Sequence, residues 1–236
     1  LVRLGPVPVA GFDYSTFADQ TAAGDLRFFD SSLRELPHEL EKWDVTGESI
    51  AWVKLNDIDS EEIVTAYWGN DSNKVAPAYR TDGSVWNNFE GVWHLSQSSP
   101  NTVVASGTGD RNGSRIGAVT SGNISAIGLG YMFDGLDDSI SITGYPGILG
   151  SSPRTISAWV KTSGDSGDIA GWGVAPGNHW QFGIASGTLQ LSAGSGIVNG
   201  IATVNDDNWH HLAVTFPTGS TDSNQSILYF DGKQEP

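Results

Sequence analysis

Short apolar runs, each bounded by turn-forming residues, recur along the whole chain. Residues 50–55 and 63–68 are two such runs in the first half, and residues 154–161, 209–216 and 227–230 are three in the second. Runs of this length between Gly, Asn, Asp and Ser are typical of strands. The best helix candidate, residues 31–42, is interrupted by Pro37 and sustains no 3.6-residue apolar stripe. The pattern therefore predicts an all-β chain.

The apolar pattern loosens between residues 72 and 90, where polar and turn-forming residues accumulate. We expect a domain boundary near residue 88. The prediction is thus two consecutive β-sandwich domains, a small one over residues 1–88 and a larger one over residues 89–236. Turns and loops, with no predicted helices, connect the strands, which argues against βαβ units.

Composition narrows the possible partners. The chain has 236 residues with 12 Lys and Arg against 27 Asp and Glu, a formal net charge of −15. A surface this acidic repels phosphate backbones and anionic headgroups, so we expect no nucleic-acid partner. No apolar run is long enough to span a bilayer, so we expect no membrane insertion. The absence of Cys excludes disulfides, thiolate zinc sites and cysteine nucleophiles.

Four sequence motifs follow one another in the second half. They are FDGLDDSI at residues 133–140, TISAWVK at 155–161, WHHLAVT at 209–215 and LYFDGK at 228–233. In this order they resemble the laminin-G-like jelly roll of the concanavalin A-like lectin and glucanase superfamily. The resemblance implies a jelly roll over residues 89–236. It also makes Ca²⁺ a candidate ligand, because the family sometimes carries a calcium ion.

The first half carries a second set of motifs. They are AGDLRF at residues 23–28, LPHELEKWD at 36–44, WVKL at 52–55 and YWGN at 67–70. They resemble a bacterial domain family of unknown function that often precedes laminin-G-like modules in secreted proteins. That resemblance implies a small β-sandwich and no established activity.

Together the two resemblances imply a non-catalytic carbohydrate-binding or adhesion module. The parent protein would be bacterial and extracellular, either secreted or attached to the cell surface, and its partner a polysaccharide or glycan. The alternative is a structural subunit or interaction module of an extracellular assembly. A glycoside hydrolase is the third possibility.

Tryptophan residues carry the argument for sugar binding. Trp172 and Trp180 flank a loop-like sequence that contains Asn178 and His179. Exposed indoles stack on the apolar faces of sugar rings, while Asn and His side chains bond to hydroxyls. We expect these four residues to form part of a sugar platform. The alternative is that both indoles anchor a hairpin over the core, where we also expect Trp159 and Trp209.

Acidic turns are candidate calcium sites. Asp134, Asp137 and Asp138 cluster in one turn, and Asp110 lies in a second Gly-rich turn. Calcium prefers six to eight oxygen ligands, which such turns supply in part. The alternative is that these carboxylates cap their own turns.

Catalysis would depend on Glu39 and Glu41, whose side chains project from one face of a strand. Retaining glycoside hydrolases use two carboxylates that flank the scissile bond. Related endoglucanases carry their acids four positions apart on one strand, with a third acid between them. Position 43 is Trp, and Asp44 would point to the other face, so we expect no enzyme activity.

The last predicted strand, residues 226–230, leads into Asp231 and Gly232, which favour a type I′ hairpin turn. Laminin-G-like jelly rolls continue with further strands after this turn. The second domain therefore looks truncated at its C-terminus. We expect the completing strands to come from a C-terminal continuation or from another protein subunit by strand addition.

Overall fold

The computed structural model describes residues 1–5, 12–57, 63–98, 101–174, 178–220 and 222–236. Strands dominate, and the described helices are four 3₁₀ turns, Tyr14–Thr16, Ala78–Arg80, Ser84–Trp86 and Ser223–Gln225. The all-β prediction is confirmed. Among the residues that the structure describes, no helix is long and apolar enough to cross a bilayer.

The chain divides into two compact units. Unit 1 comprises Leu1–Phe133 and Ser139–Thr143, and unit 2 comprises Asp134–Asp138 and Gly144–Pro236. This division lies later in the chain than the boundary expected near residue 88. The reason is that residues 89–133 contact the first half, since His94 and Ser106 both approach Glu39.

Unit 1 contains eleven of the described strands, in four small sheets with the strand orders β1-β5-β4, β3-β2-β6, β11-β8-β7 and β10-β9. Their bounds are β1 Val2–Leu4, β2 Arg27–Phe29, β3 Glu35–Leu36, β4 His38–Lys42, β5 Ser49–Val53, β6 Thr65–Tyr67, β7 Thr102–Val103, β8 Gly113–Ile116, β9 Thr120–Ile124, β10 Leu129–Met132 and β11 Ser139–Ser141. Its core gathers around Leu26, Phe28 and Leu36, whose side chains are almost fully buried. Pro37 separates β3 from β4, where the helix candidate was rejected.

Unit 2 contains two four-stranded sheets, with the strand orders β12-β17-β18-β19 and β13-β14-β15-β16. The bounds are β12 Arg154–Lys161, β13 Gly167–Val174, β14 Asn178–Ala185, β15 Thr188–Ala193, β16 Gly196–Thr203, β17 Trp209–Phe216, β18 Ile227–Phe230 and β19 Lys233–Gln234. Alternate residues of both sheets, among them Phe182, Leu191, Leu212 and Val214, meet in one buried cluster. The period-2 alternation of strands thus gives each sheet one core face and one exposed face.

The terminal hairpin has the predicted turn. Asp231 and Gly232 have φ angles of 48° and 77°. Positive φ at both central residues is the requirement of a type I′ turn. Tyr229 then pairs with Gln234, and Phe230 with Lys233. The predicted strand at residues 226–230 is confirmed as β18.

Candidate functional site

Trp172 and Trp180 are cross-strand partners on β13 and β14. Their rings stack with centroids 6.1 Å apart and an interplanar angle of 10°. Trp180 is only 5% exposed. Its ring also contacts Phe216 and lies 4.7 Å from the Arg154 guanidinium. A sugar cannot stack on Trp180, so that expected role is not supported. The pair instead matches the alternative, in which both indoles anchor the hairpin over the core.

His179 lies next to Trp180 on β14 and therefore points to the opposite, outer face of the sheet. There its Nε2 lies 2.9 Å from the Ser192 hydroxyl. Asn178 begins the same strand, but its side chain and residues 175–177 lie outside the described part of the chain. The structure therefore separates His179 from the two indoles and does not join them into one platform.

Trp159 is the exposed indole of unit 2. We expected it in the core, but 44% of it is exposed. The reason is the alternation along β12, in which Ile156 and Val160 pack on the core whereas Thr155, Ser157, Trp159 and Lys161 are exposed. The shared parity of Trp159 with these polar residues is visible in the sequence and could have identified it.

The neighbours of Trp159 on β17 complete an exposed surface. His211 pairs with Trp159, and the two rings lie 5.4 Å apart at 60°. The Thr155 and Thr215 hydroxyls are hydrogen bonded at 3.2 Å. Trp159, His211, Ser157, Thr155 and Thr215 are together called the aromatic face. It combines an accessible indole with hydroxyl and imidazole groups, which is the chemistry that binds the apolar face and the hydroxyls of a sugar.

The acidic turn brings Asp134, Asp137 and Asp138 together, with one carboxylate oxygen of each within 4.8 Å of the others. Two of the three carboxylates cap the turn. Asp138 Oδ2 accepts the Asp134 N–H at 2.9 Å, and Asp134 Oδ1 accepts the Leu136 N–H at 2.8 Å. Carboxylate oxygens are the type of ligand that Ca²⁺ prefers, but three carboxylates supply only part of its usual six to eight oxygen ligands. Calcium at this turn stays a prediction.

Asp110 is not part of the acidic cluster. It lies in unit 1, where its Oδ1 accepts a hydrogen bond from the Asn112 side-chain amide at 3.2 Å. Asp110 therefore stays a separate candidate, as the sequence predicted, and calcium at its turn stays a prediction.

Glu39 and Glu41 do project from one face of β4, and both contact His94. Glu41 Oε2 lies 2.8 Å from His94 Nδ1, and Glu39 Oε1 lies 3.6 Å from His94 Nε2. Burial alone would lower the pKa of His94, but the hydrogen bond to Glu41 and the negative charge of both carboxylates outweigh it and raise that pKa to about 9. At neutral pH the cluster is a carboxylate, an imidazolium and a second carboxylate. Sequence reasoning missed this role of His94, because its partners lie more than fifty positions away.

Further donors occupy the same carboxylates. Trp86 and Ser106 donate to Glu39, and Trp52 donates to Glu41 at 2.9 Å. Burial acts to raise the pKa of Glu39, but the donors outweigh it and lower that pKa. Asp44 lies apart from this cluster; hydrogen bonds from Lys42 and Thr46 lower its pKa to about 2. The arrangement joins β4 to β5 and to later segments of unit 1 through buried, charge-assisted hydrogen bonds.

Comparison with known families agrees with this architecture. Residues 134–236 match the family model of the concanavalin A-like lectin/glucanases superfamily. Residues 22–97 match the model of a domain of unknown function. Comparisons with curated proteins and with solved structures give no significant match. The C-terminal part of the chain is therefore a concanavalin A-like, laminin-G-like domain, and a domain of unknown function precedes it.

Proposed function

We propose that unit 2 is a non-catalytic carbohydrate-binding module that holds glycans on its aromatic face. The observation that carries the proposal is Trp159, an indole 44% exposed on the outer side of an otherwise regular strand. Exposed Trp is uncommon on a surface without a partner, and aromatic residues are enriched at binding hot spots. The family of the domain supports the same class of ligand.

The dimensions and charge of the face narrow the class of glycan. Thr155 and Trp159 mark the ends of the face on β12 and lie four residues apart, which spans roughly 13 Å at the usual rise per residue. A surface of that length suits a few consecutive sugar units. With a formal net charge of −15, the chain repels acidic polysaccharides. We therefore propose a neutral, extended polysaccharide as the ligand.

The absence of catalysis is part of the proposal. Glu39 and Glu41 are the acids that a hydrolase would need, and each already accepts hydrogen bonds from buried donors of unit 1. Their arrangement leaves little room for the water and leaving group of glycoside hydrolysis. We further propose that the parent protein is secreted or surface-attached, which fractionation of the producing cells would test.

The test is retention on insoluble neutral polysaccharides. The Trp159→Ala variant should lose binding by about tenfold or more, because the stacking ring is removed. Trp159→Phe should retain most of it. A matched control is Ile201→Ala, an exposed apolar residue (71%) on the other sheet. Equal retention of the wild type and Trp159→Ala, with unchanged melting curves, would refute the role of this face.

A second candidate function follows from strand β12. Within the described residues its eight residues pair with β17 alone, so one edge carries unpaired backbone groups. Such an edge can add a strand from another subunit. Concentration-dependent association in sedimentation experiments, abolished by a Ser157→Pro substitution, would favour this interaction role.

A further inference from the structure

Strand β6 lies at one edge of the sheet β3-β2-β6 in unit 1. Within the described residues it pairs with β2 alone, with Phe28 opposite Ala66 and Phe29 opposite Thr65. Its other edge therefore presents backbone N–H and C=O groups that no described strand covers. An exposed edge of this kind can accept an extended segment of another chain as an additional strand.

Side chains alternate along residues 63–68. The even-numbered ones pack against the core of unit 1, whereas Ile63, Thr65 and Tyr67 are exposed on the opposite side. Ile63 is 64% exposed and Tyr67 is 51% exposed. The outer side of an antiparallel sheet normally carries polar side chains, so two large apolar residues there are unusual.

Two neighbouring residues extend this outer surface. The ring of Phe29 meets the Tyr67 ring edge-on, with centroids 5.4 Å apart and an angle of 87°. Arg27 lies opposite Tyr67 and donates from Nη2 to Val75 O at 3.0 Å, which places Val75, 81% exposed, at the same end of the sheet. Single exposed apolar residues are normal, but a group with an aromatic pair is typical of protein interfaces. This group is called the β6 face and comprises Phe29, Ile63, Thr65, Tyr67 and Val75.

The charge beside the β6 face is negative. Four carboxylates occur among residues 57–62, which directly precede Ile63 in the sequence. The buried Arg27 does not offset them, because its guanidinium lies 3.3 Å from the Glu35 carboxylate. The chain has a formal net charge of −15, so a second copy, a nucleic acid and an anionic membrane are all repelled. A basic partner is the one whose charge complements this surface.

We infer that unit 1 binds a basic, extended segment of another protein, which adds to the sheet as a strand along β6. Apolar side chains of that segment would form cross-strand pairs with Ile63 and Tyr67. Its Lys or Arg side chains would be attracted by the negative charge beside the face. The inference goes beyond the proposed function, because it assigns a partner to unit 1 and does not depend on glycan binding.

The test uses the full chain and two short capped peptides, one in which Lys alternates with Val and one in which Glu alternates with Val. Binding is followed through the backbone amide signals of the protein in titration NMR. The Lys peptide should shift the amide signals of residues 27–29 and 65–67, because the added strand hydrogen bonds along β6. The Glu peptide should leave them unchanged, because its charge has the same sign as that of the protein.

Two substitutions at one exposed position test the charge. Thr65→Lys should weaken binding of the Lys peptide about threefold, and Thr65→Glu should strengthen it by a similar factor, which is the range of an exposed charge pair. Tyr67→Ala should weaken binding about tenfold, because an aromatic contact is removed. Ile124→Ala is the matched control. It removes an apolar side chain that is 86% exposed on β9 of unit 1 and should leave the affinity unchanged.

The inference is overturned if the Lys peptide causes no shifts, if the shifts lie on other strands, or if the two peptides bind alike. Equal affinities of Thr65→Lys and Thr65→Glu overturn it as well, and melting curves that match the wild type separate that result from a folding defect. Self-association of the wild type that Tyr67→Ala abolishes, without peptide binding, would assign the β6 face to a second copy and overturn the basic partner.

Discussion

The His94 cluster makes the stability of unit 1 depend on pH in an unusual direction. In the folded state the imidazolium is held between Glu39 and Glu41, and the His94 side chain is 10% exposed. Its pKa is about 9 there, against 6.5 for an unperturbed histidine. Because the pKa of His94 is raised in the folded state, the stabilisation that the protonated imidazole gives the folded state is fully present below pH 6.5. It is lost as the pH rises to about 9.

The size of the effect follows from the shift. Each pKa unit corresponds to 1.36 kcal/mol, so the imidazolium contributes about 3 kcal/mol to the free energy of unfolding at pH 6. Replacing His94 by Gln leaves two buried carboxylates without their cation. Loss of one partner from a buried ion cluster typically costs about 3–5 kcal/mol. His94→Gln should therefore be less stable than the wild type at pH 6 and converge toward it above pH 9.

Amide hydrogen exchange of strands β4 and β5 measures this effect in unit 1 alone, because those strands flank the cluster. The wild type should lose protection between pH 6.5 and 9, after correction for the intrinsic exchange rate, and His94→Gln should not. His210→Gln is the matched control. His210 lies in unit 2, and its pKa is also raised: burial acts to lower it, but hydrogen bonds to Asp231 and Asp206 outweigh burial. The same pH slope in the wild type and His94→Gln would refute the reasoning, as would an imidazole that titrates near 6.5.

Two further predictions concern unit 2. Gly147 has φ of +76°, and a Cβ there would lie 2.3 Å from the Trp172 ring, so Gly147→Ala should lower the melting temperature by several degrees. Gly144→Ala, with φ of +83° and open space around the added carbon, should lower it less; equal losses would mean that the ring contact is unimportant. Millimolar Ca²⁺ should raise the melting temperature through the acidic turn, and Asp137→Asn should remove that rise. A calcium response that is identical in Asp137→Asn would exclude this turn as the site.

Local patterns in the sequence predicted the strands well. The alternation and turn residues around Asp231 fixed the final hairpin, because strand period and φ preference are local properties. The same alternation placed Glu39 and Glu41 on one face. The sequence alone did not decide whether Trp180 lies in the core or on the surface. The loop-like residues beside it do not reveal which side of the hairpin faces the core. Its partners Arg154 and Phe216 are distant in sequence.

Tertiary contacts account for what the sequence could not predict. His94 had no visible partner, because its carboxylates come from β4. The division between the units was expected near residue 88 from a drop in apolar content. A polar composition does not prevent a segment from folding against earlier strands, and here Ser106 bonds to Glu39.

The strand order of unit 2 has a consequence for the folding kinetics of the chain. Strands β13 to β16 pair with their neighbours in sequence, whereas β12 pairs with β17, Thr155 opposite Thr215 across a separation of 60 residues. Closing so long a loop costs more entropy than forming a hairpin, so we expect the β13–β16 sheet to form early and β12 to dock late. Substitutions within that sheet should then slow refolding. Substitutions on β12 should mainly accelerate unfolding, so β12 is the strand whose contacts determine how long the native state persists.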